Sequence, residues 1–477
     1  MQLSGWKDLF RDGRGAFTVI LNLGIGLHAI DVFVISSVMP TVVRDIGGAS
    51  FYAWPTMLYM VASIVGAASG GPLKAALGAR KGYALGGLLF LAGSAGCGGS
   101  PTMLALLIAR TLQGYGGGLL LAQSMGLIGE LYPPELRTRI LALVSSVWGV
   151  AALIGPLIGG IAAEFGWWRG AFWVTVPIIA AFAAGAWRTL PSATAVLGGP
   201  IFPIRRIALL ATGVLCAGVT GNLEDIAEPL RLPASALLAA KIVLLLAAVA
   251  LVAQTFRLDR AAANRLFPPR PLSMRTRVGC AYWILFLFSM THTSIGLYLP
   301  LALQELHGVT PLAAAYAIAS LAVAWTLASF VTAGWRGAAE RAAIVGGPLL
   351  ALLSMTALTL GVATFPPLLT CALTGLVGFG IGASNLHLVA LAMRIAEPGY
   401  ESLTASSIPT IRSLGISFGA AIAGLIANLA GLEAGITVAT VEAATTWVYG
   451  ATILAPAVSL VLAVRVVRGR PRATETL

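Results

Sequence analysis

Two ionisable residues of this chain lie where hydrocarbon is expected. Asp31 falls within IDVFVISSVMPTVV, and Arg110 within LLIARTLQGYGGGLLLAQS, both long apolar stretches. A charged side chain in hydrocarbon is costly and marks function by default. Asp31 therefore needs a partner, a water-filled cavity or a bound proton. A carboxyl group that takes up and releases a proton inside a membrane can couple proton flow to another movement. Arg110 stays charged in any protein environment, so it must face a cavity or an acid. His28 lies one turn before Asp31 on the same helical face and could share the proton. The plainer alternatives remain open: a carboxylate hydrogen-bonded between helices, a satisfied histidine, and an arginine tethered to a backbone carbonyl.

The elements that carry these residues follow from composition. The chain has 477 residues, 58% of them hydrophobic and only 10% charged, whereas soluble domains carry about 25% charged residues. So few charges cannot cover a water-soluble body of this size. A bilayer-spanning helix needs about 20 largely apolar residues. About fourteen such segments can be read, from 17–41 to 443–466, joined by short polar loops such as GARKG, ELYPPELRTR and GWRGAAER. This predicts an all-α polytopic membrane protein.

The net charge of +12 could suggest nucleic acid, but the basic residues fall between apolar runs and not on one amphipathic face. They divide very unevenly between the two ends of the spans. With the N-terminus cytoplasmic, nearly all lie on that side, and only Arg44, Arg169 and Arg231 lie on the other. Positive loops face the cytoplasm, so both termini are expected there, in the inner (plasma) membrane. The connection 256–277 should be cytoplasmic, and the acidic loop with Glu224, Asp225 and Glu228 should face outward. The polar N-terminal stretch is not expected to act as a cleavable signal.

That orientation gives depths. Asp31 and Arg110 both lie about 12–15 Å below the outer face at the helical rise per residue, so they can meet. His292, in the ninth span, falls at a similar depth, and it and Glu130 are the next candidates to carry a proton. The cysteines Cys97, Cys216, Cys280 and Cys371 form no ligand pair, and the four histidines lie on separate segments without metal-site spacing. No metal, cofactor or enzymatic activity is expected, and nothing suggests a channel repeat or a receptor domain.

Four motifs in the first half resemble the major facilitator superfamily, most closely its fourteen-span drug:proton antiporters. In the first span Asp31 and Pro40 match a family carboxylate and proline. In GPLKAALGARKG, Gly71, Leu73, Gly78 and Arg80 match the first cytoplasmic signature, but Ala75 stands where the family has an acid and Ala79 where it has an arginine. That acid helps latch the two halves, so the latch here should be weaker or made by other residues. In the fourth span Arg110, Gln113, Gly114 and Gly116 match Arg-x-x-Gln-Gly-x-Gly. In WGVAALIGPLIGG, Gly155, Pro156, Gly159 and Gly160 match an element associated with exporters, followed by Trp168, Arg169, Phe172 and Pro177. In SSIPTIRSLGISFGAAIAG, Arg412 matches an arginine that precedes a glycine-rich stretch.

The resemblance implies a major facilitator fold. Residues 1–190 would form an N-terminal six-helix bundle, 191–277 a linker with two extra central spans, and 278–477 a C-terminal six-helix bundle. It implies a monomeric secondary transporter in the lipid bilayer that exports small organic or amphipathic compounds against protons by alternating access. Asp31, Arg110 and His28 would couple to protons. Arg110, Gln113, Trp283, Met290, His292, Asn385 and Arg412 would line a substrate cavity. Gly71, Gly78, Arg80, Gly155, Pro156, Gly159 and Gly160 would serve conformational change. The alternative of the same fold is a narrow-specificity metabolite or organic-anion transporter, with Arg110 and Arg412 holding the anion.

Overall fold

A computed structural model describes residues 6–11, 13–47, 51, 54–190, 203–221, 223, 233–309, 311–432 and 437–468. The acidic residues Glu224, Asp225 and Glu228 lie outside the described residues. Those described form helices and no strand. This suits a chain in lipid, where each backbone N–H and C=O must bond within its own segment.

A short 3-10 turn, Trp6–Phe10, leads into α1 (Arg14–Ile46), α2 (Trp54–Gly98), α3 (Met103–Leu131) and α4 (Pro134–Glu164). There follow α5 (Trp168–Trp173), α6 (Thr175–Thr189), α7 (Ile204–Gly221) and α8 (Ala234–Arg260). The remainder comprises α9 (Arg277–His307), α10 (Pro311–Thr332), α11 (Ala338–Gly361), α12 (Pro367–Arg394), α13 (Glu401–Leu429), α14 (Val438–Thr452) and α15 (Leu454–Arg468).

Eleven helices among the described residues are long and apolar enough to cross a membrane, against the fourteen or so expected. One reason lies in α2. It runs for 45 residues, too long for one crossing of a hydrocarbon core of about 30 Å. It takes in two of the expected spans, and it breaks at Gly78, whose φ of 80° and ψ of 166° are not helical. That left-handed φ is open to glycine at no steric cost. The stretch Ala317–Thr332 of α10 is apolar but shorter than the rest.

The chain divides into two compact units. One comprises Met1–Pro268 with Pro398–Ala421, the other Pro269–Glu397 with Ile422–Leu477. In the first, α3 lies against α2 with almost no side chain between them. A Cβ added at Gly118 would strike the backbone of Ser63, and one at Gly114 the backbone of Tyr59. Small residues permit this approach between membrane helices. The second unit repeats the device: Gly382 lies on the backbone of Trp325 and Gly378 on that of Leu321. Gly114, Gly116 and Gly118 thus correspond in register to Gly378, Gly380 and Gly382.

A buried cluster closes one end of the first unit. Val34, Val38 and Val42 of α1 pack with Leu106 of α3 and with Trp168 and Phe172 of α5. Asp45, at the end of α1, accepts from the Trp168 indole at 3.0 Å and from Arg169 at 2.5 Å. Arg169 also donates to the Ser100 carbonyl at 3.0 Å. The Trp168 bond, and after it the Arg169 bond, hold the Asp45 carboxyl below the usual carboxylate range.

Candidate functional site

The site is built on α1 and α3. Arg110 and Gln113 stand one turn apart on α3, so they share a face. Asp31 faces them from α1. Arg110 Nη1 donates to Asp31 Oδ2 at 2.6 Å and to Gln113 Oε1 at 2.7 Å. Gln113 Nε2 donates to the other carboxylate oxygen, Oδ1 of Asp31, at 2.7 Å, and lies 2.8 Å from Ser94 Oγ. The amide thus bridges the two charges. The guanidinium is fully buried, and the Asp31 side chain is 5% exposed. Charge-assisted bonds of this length are the strong kind.

α2 completes the cage. The Arg110 guanidinium lies 4.1 Å over the Tyr59 ring, a cation–π contact that gains in a desolvated setting. The Tyr59 hydroxyl shares a 2.7 Å hydrogen bond with His28 Nδ1. A Cβ at Gly117 would meet His28 Nδ1 at 2.6 Å, so glycine there makes room for this bond. His28 stacks on Tyr59 and meets Trp148 edge-on. His28 therefore joins the cluster through Tyr59. Sequence alone does not single out Tyr59, Ser94 or Trp148, because tyrosine, serine and tryptophan in apolar spans carry no spacing signal of their own.

The remaining candidates fall in separate places. Arg412 lies half-buried on α13 in the first unit. In the second unit, Asn385 is buried on α12, Met290 is half-buried on α9, and His292 meets the Trp325 ring edge-on at 6.0 Å. Trp283 donates its indole N–H to the Leu272 carbonyl at 3.0 Å, which ties it to the connection before α9. By the glycine register, Thr374 of the second unit stands where Arg110 stands in the first, and Thr374 is buried.

The conformational candidates have local work. Arg80 donates to the Leu190 carbonyl at 2.7 Å, capping the C-terminal end of α6. A Cβ at Gly71 would press on Leu403 at 3.2 Å, and one at Gly155 on Phe33 at 2.5 Å. Gly159 is buried in α4. Pro156 and Gly160 belong to α4, and their surroundings lie outside what is described. Ala75 stands at the usual acid position, and the polar contacts here are made by its neighbour Lys74. Its ammonium pairs with Glu130 at the end of α3 and donates to Ser402 Oγ at 3.1 Å. Among the described residues no His, Cys, Asp and Glu cluster could hold a metal ion.

Comparison with known proteins agrees with this architecture. The sequence profile of the Major Facilitator Superfamily matches residues 21–420. A probable multidrug-efflux transporter of Mycobacterium tuberculosis (strain H37Rv) is 33% identical over 449 residues, which cover 90% of this chain and 91% of that one. Multidrug resistance protein 3 of Bacillus subtilis is 37% identical over 158 residues, 33% of this chain and 31% of that protein. Among solved structures, the human organic anion transporter MFSD10 superposes with a TM-score of 0.64 at 16% identity, covering 94% of this chain and 99% of that chain. The proton:xylose symporter XylE gives 0.62 at 15% identity, covering 96% of each. Likeness at that identity speaks for the fold alone. The chain belongs to the Major Facilitator Superfamily and is a multi-pass membrane transporter, not an enzyme.

Proposed function

We propose that this transporter exports small organic or amphipathic compounds in exchange for protons. The observation that carries the reading is the buried Asp31–Arg110 pair, bridged by Gln113 and held on two different helices. Any movement of α1 against α3 that parts them strands a carboxylate in a dry site. Taking up a proton removes that cost. Asp31 loads and releases the proton, Arg110 is its countercharge, and His28 tunes the cluster through Tyr59. Gln113 acts by positioning the pair. Arg412, Trp283, Met290, His292 and Asn385 are the proposed substrate contacts. The likeness to the mycobacterial probable multidrug-efflux transporter along nine-tenths of both chains supports export of drug-type compounds.

In this reading the chain has fourteen spans, with α2 counted twice at its Gly78 break. Residues 1–190 and 278–477 form two six-helix bundles, and 191–277 carries two extra spans. The protein works as a monomer in the plasma membrane with both termini cytoplasmic. The bundles rock about a midplane site, as in other secondary transporters. Gly71, Gly78, Arg80 and the Gly155–Gly160 stretch of α4 accommodate the motion.

The test uses everted vesicles with an internal pH dye and a panel of lipophilic compounds. Wild type should release protons from the vesicle lumen on adding a substrate, and Asp31→Asn should abolish this while leaving gradient-free exchange. Uphill transport at the normal rate by Asp31→Asn would show that the proton rides elsewhere.

One observation favours a second reading. Arg110 Nη2 is buried with no hydrogen-bond partner among the described residues, a spare donor for an organic anion. Counterflow of radiolabelled organic anions that is lost in both Arg110→Lys and Arg412→Lys would favour this reading over drug export.

A further inference from the structure

A second polar site lies about 20 Å along α3 from Arg110. Gln123 is 1% exposed, and neither its Oε1 nor its Nε2 bonds to any protein group among the described residues. It lines a cavity of about 330 Å³ together with Lys74, Glu130, Arg265 and Ser402. Buried amides are nearly always bonded, so an amide with both atoms unpartnered beside a cavity points to a ligand. The volume falls within the range of small-molecule sites, about 300–1,000 Å³.

The lining favours an anion. Lys74 is neutralised by Glu130, which leaves the Arg265 guanidinium in excess. Arg265 is half-buried, and among the described residues it has no ion-pair partner. The first turn of α13 contributes Ser402 and Leu403 to the wall, and helix N-termini favour negative charge. Glu401 shares that turn but does not line the cavity.

Arg265 is also held in place. Arg206 of α7 pairs with Asp259 of α8 at 2.5 Å and donates to Asn264 Oδ1 at 2.6 Å. Asp259 accepts from the backbone N–H of Leu266 at 2.7 Å and of Phe267 at 3.1 Å. The Phe267 ring packs on Phe256 at 4.5 Å. Residues on both sides of Arg265 are thus pinned, and its backbone is fixed before any ligand arrives. α7 and α8, otherwise without a part in the Asp31 centre, position this arginine.

We propose that this cavity binds a phosphate group, with Arg265, Gln123 Nε2, Ser402 and the α13 N-terminus as donors. A fork from the connection after α8, an amide from α3, and a hydroxyl with backbone N–H groups from α13 come from three elements, which suits a tetrahedral oxyanion with several acceptor oxygens better than a planar carboxylate. The phosphate can come from a soluble compound or from a lipid headgroup. The site stands apart from the proton-coupling reading and does not depend on it.

The experiment measures melting temperature of the full-length protein in lipid-free detergent as inorganic phosphate replaces chloride at constant ionic strength. A parallel arm compares nanodiscs of phosphatidylglycerol with nanodiscs of a phosphate-free glycolipid. Wild type and the control Arg257→Ala, an exposed position in the last turn of α8, should be stabilised by phosphate, by phosphatidylglycerol, or by both; the arm that responds identifies the source. Arg265→Gln and Gln123→Leu should weaken the apparent affinity by about tenfold or more, as expected for a lost charge-assisted bond. Arg265→Gln alters a half-buried residue of the connection, so it carries the test if Gln123→Leu does not fold. The proposal is overturned if neither phosphate source stabilises wild type more than Arg265→Gln, or if Arg257→Ala loses the response to the same degree.

Discussion

Arg110 and Asp31, 79 residues apart in the chain, meet through a 2.6 Å hydrogen bond with both side chains almost wholly withdrawn from the surface. Removing one partner of such a pair costs about 3–5 kcal/mol, because the other charge is left uncompensated. Arg110→Ala should therefore lower the melting temperature in detergent strongly. Arg110→Ala combined with Asp31→Asn should lower it less than the sum of the single changes. Strictly additive shifts would show that the pair contributes nothing as a pair.

Lys74 joins the end of α3 to the first turn of α13 through Glu130 and Ser402. The Glu130 side chain is 40% exposed, so the pair itself is worth about 1 kcal/mol or less. Lys74→Met should leave the melting temperature nearly unchanged. It should speed maleimide labelling of a cysteine placed at Ser406, which is buried beside this tether. Unchanged labelling would mean that the tether does not hold the first turn of α13 closed.

Asp45 supplies a pH dependence. Its carboxyl titrates below the ordinary value, chiefly through the Trp168 indole and then Arg169. A folded-state value below the unfolded one gives stability that is present above about pH 3.9, the ordinary carboxyl value, and lost as pH falls through the lowered one. Melting temperature should therefore fall between about pH 4 and the lowered titration point, and the contribution is modest because Asp45 is exposed. Asp45→Asn should flatten that part of the profile. An identical slope in the variant would assign the acid lability to other groups.

Topology can be checked by labelling. In a cysteine-free background, single cysteines at Ala261 and Thr437, both exposed, should react with an impermeant maleimide from opposite sides. Ala261 should react only in everted vesicles. Reaction of both from the same side would overturn the orientation with cytoplasmic termini.

Several features are legible in the amino-acid sequence itself. A chain that is 58% hydrophobic and 10% charged must fold in lipid, and lipid requires closed hydrogen bonding within each segment, hence helices. The isolated charges Asp31 and Arg110 are conspicuous for the same energetic reason, and counting residues from the helix ends puts them at one depth. The glycines of α3 announce close packing. Their counterparts Gly378, Gly380 and Gly382 are equally visible, but what they pack on is not.

Tertiary structure decides what faces what. Helices that are apolar nearly all round carry little rotational signal, so sequence cannot say that Tyr59 and Ser94 of α2 turn toward Arg110 and Gln113, or that His28 reaches the cluster through Tyr59. It can report that Ala75 lacks the usual acid, but not that Lys74 takes Glu130 and Ser402 as partners, the latter 328 residues away in the chain. Nor can it say that Arg206 and Asp259 fix the turn that carries Arg265. Depth in the membrane is set by counting along one helix. Partnership is set by the rotation and packing of several helices, and that information exists only once they are assembled.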